Sequence, residues 1–446
     1  MKRTNTTPQP PLSGGIRIIK LLKKIIPEPW LLAYHKALAL LSDFFYRFPS
    51  RKMTVVGVTG TNGKTTVCHL IRDILEAAGH KVGMTTSIDF QDGKKVWENN
   101  TKQGMPGRFA LRKLLGQMVK NHCDYAIIET TSEGIKQFRH YKIDYNVAVF
   151  TNLTRDHIES HGSFEAYRRA KEELFKIVAR RKDGVNIVNL DDLCVQDFLQ
   201  YKASRIYGYG FNQNIDSKNA ITKVIAENVK LYPEGSVFSV NNKIYTLAIP
   251  GKHNISNALA SICLGLSQNI PAEKIQKALA AFSGIPGRLE EIKNSRGFRV
   301  FVDYAHTEDA LLKVYEILAA MPHQKIIAVL GATGGGRDKK KRPLLGALAA
   351  RYCDLVFVTN EDPYLEDPEK IIDAVLAGVI SGGKRIDIDC YRVSERGEAI
   401  KKALGKAQRC DIVIITGKGC EKVMATADGM VPWDDREIVR KVLEDL

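Results

Sequence analysis

The sequence predicts an α/β protein with two main domains, preceded by a short helical N-terminal segment. Three observations predict this class. Apolar runs with the length of buried strands alternate with helical patterns from Met53 onward. A glycine turn joins the first of these strands to a helix, and a Gly/Pro linker at 284–287 divides the alternation into two runs. We therefore expect a central domain with a mostly parallel sheet and a C-terminal Rossmann-like α/β domain.

Length and composition agree with this division. The 446 residues are enough for two or three domains with their own cores. We predict the boundaries 1–50, 51–285 and 286–446. The net charge of +16 suits anionic partners such as nucleotides. Because Lys and Arg are spread along the chain and no nucleic-acid motif is found, we expect no nucleic-acid partner.

The cysteines indicate a reducing compartment. None of the eight forms a C-x-x-C pair, so neither a zinc knuckle nor a redox dithiol is indicated. Scattered single cysteines are typical of cytosolic proteins. The sequence shows no signal-peptide pattern and no long uncharged apolar run, so we predict a cytoplasmic protein.

The N-terminal segment is polar at first and then apolar and basic. Residues 1–14 contain three prolines and are predicted to be disordered. Two stretches at 16–26 and 30–48 are predicted to be helical. Trp30 and the basic residues would suit an interfacial helix pair on the inner face of the membrane. We favour a helical clasp packed on the main domain, since amphipathic helices mostly face a core. Peripheral membrane contact through residues 16–48 stays open.

The stretch from Thr54 to Thr66, TVVGVTGTNGKTT, predicts a phosphate-binding loop between a buried strand and a helix. Backbone N–H groups and the helix N-terminus would hold phosphates. Lys64 would reach the β/γ-phosphates, and Thr65 would ligate magnesium. Val58 stands where the general pattern has its first glycine, so the prediction depends on the strand and helix around the turn. The alternative is an ordinary glycine turn. The predicted nucleotide-binding residues of the loop are Gly60, Thr61, Asn62, Gly63, Lys64, Thr65 and Thr66.

The elements that follow are predicted from apolar runs and turn signals. In the central domain, buried strands are expected at 125–128, 147–150 and 185–188, a small antiparallel insertion at 205–250 and a helix at 270–282. In the C-terminal domain, strands are expected at 300–303, 326–330, 355–359 and 412–416.

Two polar residues follow predicted strands of the central sheet. Glu129 ends one strand, and His157 lies a few residues after another. Ligands commonly bind at the C-terminal ends of parallel strands. Glu129 and His157 could therefore join Thr65 around magnesium and hold ATP for phosphoryl transfer.

A set of motifs along residues 51–446 resembles the Mur ligase family, and most closely its MurE type. In chain order these are GTNGKTT, ETTSEGIKQFR, VFTNLTRDHIESHGS, AYRRAKEELF, IPGKHNISNALA, GIPGRLE, VDYAHTEDAL, GGGRDKKKRP and GKGCE. The stretches DYAHT and GGGRDKKKRP separate the MurE type from the related folylpolyglutamate synthetases.

The resemblance implies a central P-loop ATPase domain and an ATP-dependent amide ligase of peptidoglycan precursor synthesis. Such enzymes phosphorylate the carboxylate of a UDP-N-acetylmuramoyl-L-alanyl-D-glutamate-like acceptor, and the amine of an amino acid then attacks the acyl phosphate. The implied cofactors are ATP and Mg²⁺ at two sites, and the partners are small-molecule substrates. Two alternatives remain: a related ligase with a lipid-linked or polyglutamyl-type acceptor, and a nucleotide-binding scaffold without catalysis.

The resemblance also implies roles for individual residues. The catalytic set is Lys64, Glu129, His157, Lys171 and His306. The metal ligands are Thr65, Glu129, His157 and a carbamylated Lys171, although from sequence alone Lys171 is a lysine on a surface helix. Asn254 and Asn257 match positions near the adenine, and Arg288 and Asp303 match the nucleotide-facing edge of the C-terminal domain. Thr131, Gln137 and Arg139 match positions that bind the muramyl-peptide acceptor.

The chain departs from the family pattern in two ways. About fifty residues precede the phosphate-binding loop, which is short for the family's UDP-binding domain. In addition, Glu361-Asp362-Pro363-Tyr364 replaces the D-N-P-R of diaminopimelate-adding enzymes. Tyr364 cannot form a bidentate ion pair with a distal carboxylate.

The altered motif affects the expected amino-acid substrate. Glu361 and Asp362 would suit a distal ammonium, as on lysine or ornithine, although they could also face solvent. Arg337, Gly417 and Glu421 remain to contact the amino acid, whereas Cys420 replaces the family's histidine. We predict that diaminopimelate is not the preferred substrate.

Overall fold

The computed structural model describes residues 28–101, 103–154, 158–212, 220–335 and 338–446. The disorder predicted for residues 1–14 and the helix predicted over 16–26 lie outside the described residues. The second N-terminal stretch forms helix α1, Glu28–Phe45, and a 3₁₀ turn at Pro49–Lys52 follows it.

The central part begins with β1 and the phosphate-binding loop. Its elements, in chain order, are β1 Thr54–Thr59, α2 Lys64–Ala77, β2 Val82–Thr85, β3 Asp89–Gln91, β4 Val96–Glu98, α3 Arg108–Lys120, β5 Tyr125–Glu129, α4 Ser132–Lys136, β6 Val147–Phe150, α5 Ile158–His161, α6 Phe164–Val178, β7 Val185–Asn189, α7 Val195–Leu199, β8 Arg205–Gly210, β9 Thr222–Ile225, β10 Glu227–Tyr232, β11 Gly235–Val240, β12 Lys243–Leu247, α8 Lys252–Ser267 and α9 Ala272–Ala281.

Most of these strands form one sheet in the order β4-β3-β2-β5-β1-β6-β7-β8-β9. In this order, each strand from β2 through β5, β1, β6, β7 and β8 to β9 is parallel to the next. β3 pairs antiparallel with both β2 and β4. β1 lies inside the sheet, and its valines are buried on both faces, as a central parallel strand requires. Val56 faces a core with α2, α8 and α9, and Val55 faces a core with α3 and α6.

The antiparallel insertion predicted over 205–250 is wrong in its first half. β8 pairs parallel with β7, and β9 pairs parallel with β8, so both strands extend the main sheet. Only β10, β11 and β12 form a separate antiparallel sheet. β9 is the edge strand of this sheet and β8 lies between β7 and β9, and both strands are exposed at their N-terminal ends and buried at their C-terminal ends.

The C-terminal part contains the second α/β run. Its elements are β13 Glu290–Glu291, β14 Arg299–Asp303, α10 Glu308–Ala320, β15 Ile326–Leu330, α11 Lys341–Tyr352, β16 Leu355–Val358, α12 Pro368–Ser381, β17 Cys390–Arg392, α13 Arg396–Lys406, β18 Ile412–Thr416, β19 Val423–Thr426, β20 Gly429–Pro432 and α14 Asp435–Asp445. The sheet order is β13-β14-β18-β15-β16-β17, and strands β14 to β17 are parallel. Helices α10, α11 and α12 cover one face, and α13 and α14 cover the other.

The predicted α/β class is confirmed, with a helix before the first sheet and a mostly parallel sheet in each half. The domain boundaries stay a prediction. The first sheet system ends at Leu247 and the second begins at Glu290. In the part of the chain that the structure describes, no helix combines the length and the hydropathy needed to cross a membrane.

Candidate active site

The phosphate-binding loop is held in place by the strand next to β1. The backbone N–H of Thr61 donates to the carbonyl oxygen of Asn152 at 2.8 Å, and that of Asn62 donates to the Asn152 side-chain oxygen at 3.0 Å. Asn152 follows β6, which pairs with β1. Gly63 has φ 82° and precedes α2, and a Cβ there would lie 2.4 Å from the Asn257 side-chain oxygen. Glycine is therefore required where the loop enters the helix.

Two lysine side chains converge on this loop. The Lys64 Nζ donates to the carbonyl oxygen of Gly60 at 3.1 Å, and the Lys171 Nζ donates to the same oxygen at 2.6 Å. Lys171 lies on α6 and is 1% exposed, with its Nζ 4.3 Å from the centre of the Tyr167 ring. The surface position expected from sequence alone is wrong, because α6 turns this side chain toward the loop. Two ammonium groups beside a helix N-terminus favour an anion.

An oxygen cluster lies beside the lysines. The Thr65 hydroxyl donates to Glu129 Oε2 at 2.9 Å and lies 3.1 Å from the Ser87 hydroxyl. The Ser87 N–H also donates to Glu129 Oε2 at 2.9 Å. Thr65 is the second residue of α2, Glu129 ends β5 and Ser87 follows β2, so neighbouring elements of the sheet bring them together. Ser87 was not among the predicted site residues, although its place after the strand that ends at Thr85 was a usable signal.

Two predicted residues cannot be compared with the structure. His157 and Arg337 lie outside the described residues. Within the described residues, no group of three or more His, Cys, Asp or Glu is arranged to hold a metal.

A cavity of about 370 Å³ opens over the loop and joins the two halves of the chain. From the central part it is lined by Gly60, Thr61, Asn62, Gly63, Lys64, Thr65, Glu129, Thr131, Gln137, Arg139 and Lys171. From the C-terminal part it is lined by Arg288, Tyr304 and His306, among others. The loop, the predicted acceptor residues and His306 therefore face one space.

The predicted acceptor residues are held by local hydrogen bonds. Thr131 caps α4, and its hydroxyl accepts the N–H of Gly134 at 3.1 Å. The Arg139 guanidinium donates to Gln137 Oε1 at 2.8 Å and to Gln103 Oε1 at 2.6 Å. Two glutamine side chains and the Met105 carbonyl oxygen thus fix a cation at the end of the cavity that is lined by α4. Its positive charge would suit a carboxylate.

The predicted adenine-side residues line a second cavity, of about 140 Å³. Asn254, Asn257, Thr66, Arg288 and Asp303 all border it. The two asparagines are joined by a 3.2 Å hydrogen bond.

Asp303 is fixed by two backbone groups at this edge. Its carboxylate accepts the N–H groups of Leu289 and Ala305, each at 2.6 Å. Burial raises the pKa of Asp303 above its ordinary value, and the Arg288 guanidinium opposes that shift. The Arg288 guanidinium itself lies 4.2 Å from the centre of the Tyr304 ring.

The predicted amino-acid residues form a buried cluster. Glu361 is 2% exposed, and its Oε1 accepts the Thr333 hydroxyl at 2.6 Å. Its Oε2 is buried and accepts no hydrogen bond from the residues that the structure describes. Gly417 has φ 107°, and a Cβ there would lie 2.2 Å from that oxygen. Burial raises the pKa of Glu361, although the Arg396 charge opposes the rise.

Asp362 does not fit the expected role beside Glu361. Its Oδ1 accepts the Lys418 ammonium at 2.9 Å and the N–H of Ala425 at 2.7 Å. Lys418 is fully buried and also donates to Glu421 Oε2 at 2.7 Å. The Asp362 carboxylate therefore already accepts hydrogen bonds from the protein. The alternative that Glu361 and Asp362 face solvent in a loop is wrong, because both are buried. Lys418 was not among the predicted site residues, even though it lies inside the GKGCE motif.

The remaining predicted residues lie around this cluster. The backbone N–H of Tyr364 donates to the carbonyl oxygen of Ala425 at 3.0 Å. The Tyr304 hydroxyl donates to Glu421 Oε1 at 3.4 Å, and Tyr304 also lines the cavity over the loop. Glu361, Asp362, Tyr364 and Gly417 are not part of that cavity's lining. Of the residues predicted to bind the amino-acid substrate, Glu421 contacts the wall of the cavity over the loop, through Tyr304.

Two polar contacts join the central and C-terminal parts beside the site. The Asn62 side-chain amide of the loop donates to Asp309 Oδ2, on α10, at 2.8 Å. Lys422 pairs with Glu98 on β4 at 2.7 Å. The two halves therefore meet over the loop.

Comparison with known proteins identifies the family. The model of the Mur ligase middle domain matches residues 58–265, and that of the Mur ligase glutamate ligase domain matches residues 287–419. This chain belongs to the Mur ligase family. It is therefore a ligase, and its resemblance to the MurE type is confirmed by the relatives described next.

Two curated relatives of this Mur ligase are similar along most of their length. A Roseiflexus protein named UDP-N-acetylmuramyl-tripeptide synthetase is 37% identical over 427 residues, which is 92% of this chain and 82% of the relative. A Geobacillus thermodenitrificans protein named UDP-N-acetylmuramoyl-L-alanyl-D-glutamate–2,6-diaminopimelate ligase is 34% identical over 445 residues, which is 98% of this chain and 86% of the relative.

Solved structures give the same fold. A structure of a ligase with the same diaminopimelate-adding name is 27% identical, with a TM-score of 0.61 over 92% of this chain and 83% of its own. Mycobacterium tuberculosis folylpolyglutamate synthase has a TM-score of 0.68 at 18% identity, over 86% of this chain and 92% of its own, which shows the fold alone.

Proposed function

We propose that this Mur ligase is an ATP-dependent amide ligase that activates a carboxylate as an acyl phosphate. The observation that carries the proposal is the convergence of Lys64 and Lys171 on the Gly60 carbonyl at the start of α2. The Lys64 ammonium and the helix N-terminus form a site for the phosphates of ATP, and Lys171 borders this site as a cation or, once carbamylated, as a metal ligand. The adjoining 140 Å³ cavity, with Asn254 and Asn257, would take the adenine side of the nucleotide.

Magnesium fits the oxygen cluster. The donors are the Thr65 hydroxyl, the Glu129 carboxylate and the Ser87 hydroxyl, and oxygen ligands of this kind are those that Mg²⁺ prefers. Thr65 and Glu129 would hold a first ion, and His157 with a carbamylated Lys171 would hold a second. Bound Mg²⁺ would neutralise charge on the transferring phosphoryl group.

The chemistry then proceeds in two steps. An oxygen of the acceptor carboxylate attacks the γ-phosphorus, the bond to the β-γ bridging oxygen breaks, and ADP leaves. The amine of the amino acid attacks the acyl carbon, loses a proton, and inorganic phosphate leaves, so that an amide forms. Lys64 would stabilise charge on the phosphoryl oxygens. His306 and Arg288 line the same cavity from the opposite side and would help to exclude water once substrates bind.

The acceptor we propose is UDP-N-acetylmuramoyl-L-alanyl-D-glutamate or a close analogue. Arg139, fixed by Gln137 and Gln103, offers a positive charge for an acceptor carboxylate at the cavity wall. The names of the two curated relatives support this choice. A lipid-linked or polyglutamyl-type acceptor is the competing candidate and forms a separate arm of the test below.

The amino acid we propose carries a distal ammonium, as in lysine or ornithine. Glu361 Oε2 is buried and accepts no hydrogen bond from the described residues, so this carboxylate oxygen could accept one from a substrate ammonium. Tyr364 stands where diaminopimelate-adding enzymes have an arginine. Arg337 would bind the α-carboxylate, and Gly417 and Glu421 would border the amino acid.

We also propose a cytoplasmic enzyme with small-molecule substrates. The cysteines support this location, since all eight are unpaired thiols and lie within the described residues.

The experiment that tests the function is product analysis with purified protein, ATP and Mg²⁺. UDP-muramyl dipeptide, its lipid-linked form and a folate would each be combined with lysine, ornithine and diaminopimelate. We expect ADP, phosphate and a new amide in equal amounts with UDP-muramyl dipeptide and lysine or ornithine. Lys64→Ala should abolish turnover, whereas Lys94→Ala, an exposed lysine on a turn, should not. ATP hydrolysis without any amide product would refute the ligase proposal.

A further inference from the structure

Helix α1 has one face packed on the protein and one that is open. Ala39, Ser42 and Asp43 are buried. The Asp43 carboxylate lies 3.9 Å from the guanidinium of Arg112, a fully buried residue of α3. The inner face of α1 thus packs against α3. This part of the N-terminal segment is the helical clasp predicted from the sequence. Against the residues that the structure describes, the large side chains of the outer face are mostly exposed.

The outer face is apolar and aromatic. Trp30 and Phe44 are each 73% exposed and Phe45 is 70% exposed. The residues recur at helical spacing, so they form one stripe, which we term the aromatic face: Trp30, Tyr34, Leu41, Phe44 and Phe45. A contiguous exposed patch of large apolar side chains marks an interaction surface.

The surroundings of the aromatic face are cationic. Lys36, Arg47, Arg51 and Lys52 are exposed on the same helix and the turn that follows. Asp43, near the C-terminal end of α1, is buried away from this surface. In the sequence, residues 1–27 add six lysines and arginines and no acid. Aromatic residues bordered by Lys and Arg are typical of helices that lie in the headgroup region of anionic bilayers.

We propose that the aromatic face is a membrane-docking surface for an anionic bilayer. The helix would lie along the interface, with Trp30, Phe44 and Phe45 below the headgroups and Arg47 and Arg51 among the anionic lipids. This surface is also next to the acceptor pocket. The Lys36 Nζ lies 4.7 Å from the centre of the Phe138 ring, and Phe138 sits between the proposed acceptor residues Gln137 and Arg139.

The proposal is independent of the ligase chemistry, so its test does not use activity. The full-length protein would be sedimented with phosphatidylcholine vesicles with and without phosphatidylglycerol. We expect binding to the anionic vesicles that weakens with added salt. The substitutions Trp30→Ser, Phe44→Ser and Phe45→Ser together should weaken it by about tenfold or more, because three exposed aromatic side chains would no longer enter the interface.

A matched control uses exposed apolar residues elsewhere. Leu193, Ile244 and Ile388 are all more than half exposed, and their joint substitution by Ser should leave vesicle binding unchanged. A second readout locates the contact: brominated lipid should quench tryptophan fluorescence in the wild type, and Trp30→Phe should remove most of that quenching. Circular dichroism would establish that each variant is folded.

Three outcomes would overturn the proposal. The first is that the wild type binds neither kind of vesicle. The second is that the wild type forms a dimer, which the aromatic-face substitutions dissociate, and binds no vesicles, so that a second copy covers the face. The third is that Lys20→Gln, Lys23→Gln and Lys24→Gln together abolish vesicle binding while the aromatic-face variant binds as the wild type does. The contact would then belong to residues 1–27.

Discussion

The ammonium group of Lys171 lies 2.6 Å from the carbonyl oxygen of Gly60, the glycine that opens the phosphate-binding loop. This contact joins the loop after β1 to α6, which are far apart in sequence. The Lys171 side chain is buried. The Lys171 ammonium shares this acceptor with the Lys64 ammonium at the N-terminus of α2. It is well placed to meet phosphate or, after carbamylation, a metal ion.

Carbamylation of Lys171 would make the enzyme depend on carbon dioxide. Addition of CO₂ to the neutral amine turns a cation into an anionic ligand. We expect ligase activity to fall in CO₂-depleted buffer and to return with bicarbonate. Lys171→Ala should reduce kcat by at least about 100-fold, since charge stabilisation in the site would be lost. Lys176→Ala, an exposed lysine of the same helix, is the control. Full activity of Lys171→Ala would exclude any role for this residue.

Substitution of Glu129 should weaken magnesium binding specifically. Glu129→Gln keeps the size of the side chain but removes the anionic oxygen that Thr65 and Ser87 contact. We expect the magnesium concentration for half-maximal activity to rise by about tenfold or more, because a carboxylate ligand is replaced by a neutral amide. Titration of phosphate release against Mg²⁺ measures this shift. Glu234→Gln, at an exposed turn, should behave as the wild type. An unchanged magnesium dependence in Glu129→Gln would place the ion elsewhere.

The Asn62–Asp309 hydrogen bond should help to hold the two halves together over ATP. Asp309→Ala removes the acceptor of the 2.8 Å bond, and hydrogen bonds to charged groups contribute roughly 1.5–3 kcal/mol. We expect kcat to fall by about tenfold, because fewer molecules are closed at any time. Glu308→Ala, the exposed neighbour at the start of α10, is the matched control. Equal kcat values for the two variants would show that this bond does not limit closure.

Position 364 should determine the response to diaminopimelate. Tyr364→Arg restores a guanidinium that can pair with a distal carboxylate. We expect the kcat/KM ratio of diaminopimelate to lysine to rise by about tenfold or more. Tyr364→Phe, which keeps the ring, should leave that ratio unchanged. A wild-type preference for diaminopimelate over lysine and ornithine would contradict the prediction, whatever the variants do.

The stability of the fold should fall in mild acid because of His140. Burial lowers the pKa of His140 to about 4, aided by the nearby Arg112 charge. An unfolded histidine titrates near 6.5, so between about pH 6.5 and pH 4 the unfolded chain binds the extra proton. The contribution of neutral His140 to the free energy of unfolding is therefore fully present above about pH 6.5. It is lost as the pH falls toward 4, by at most about 1.4 kcal/mol per pH unit.

Denaturant unfolding at several pH values tests this prediction. His140→Gln should flatten the fall in unfolding free energy between about pH 6.5 and pH 4. His122→Gln, at an exposed position, controls for the loss of an imidazole. If His140→Gln and the wild type lose stability equally over this range, another group is responsible.

Local sequence patterns were enough to predict the strands and the loop. Val55, Val56 and Val58 indicated a buried strand because parallel strands are apolar on both faces. Residues 205–225 were misassigned because the sequence of a strand that pairs in parallel can resemble that of a strand in an antiparallel insertion. Pattern alone could not distinguish the two, since the difference lies in which strand each one pairs with.

The site was less predictable where long-range contacts determine it. The helical pattern around Lys171 gave no sign that α6 turns this lysine toward Gly60. Similarly, Asp362 was expected to meet a substrate ammonium, but the buried Lys418 already neutralises it. Both outcomes depend on residues distant in sequence that the fold brings together.

Transfer of oxygen from acceptor to phosphate tests the acyl-phosphate mechanism most directly. UDP-muramyl dipeptide with its glutamyl side-chain carboxylate labelled with ¹⁸O would be incubated with ATP, Mg²⁺ and lysine or ornithine. The mechanism predicts that each phosphate released carries one oxygen from that carboxylate, because the acyl carbon–oxygen bond breaks when the amine attacks. Unlabelled phosphate accompanying amide formation would contradict it.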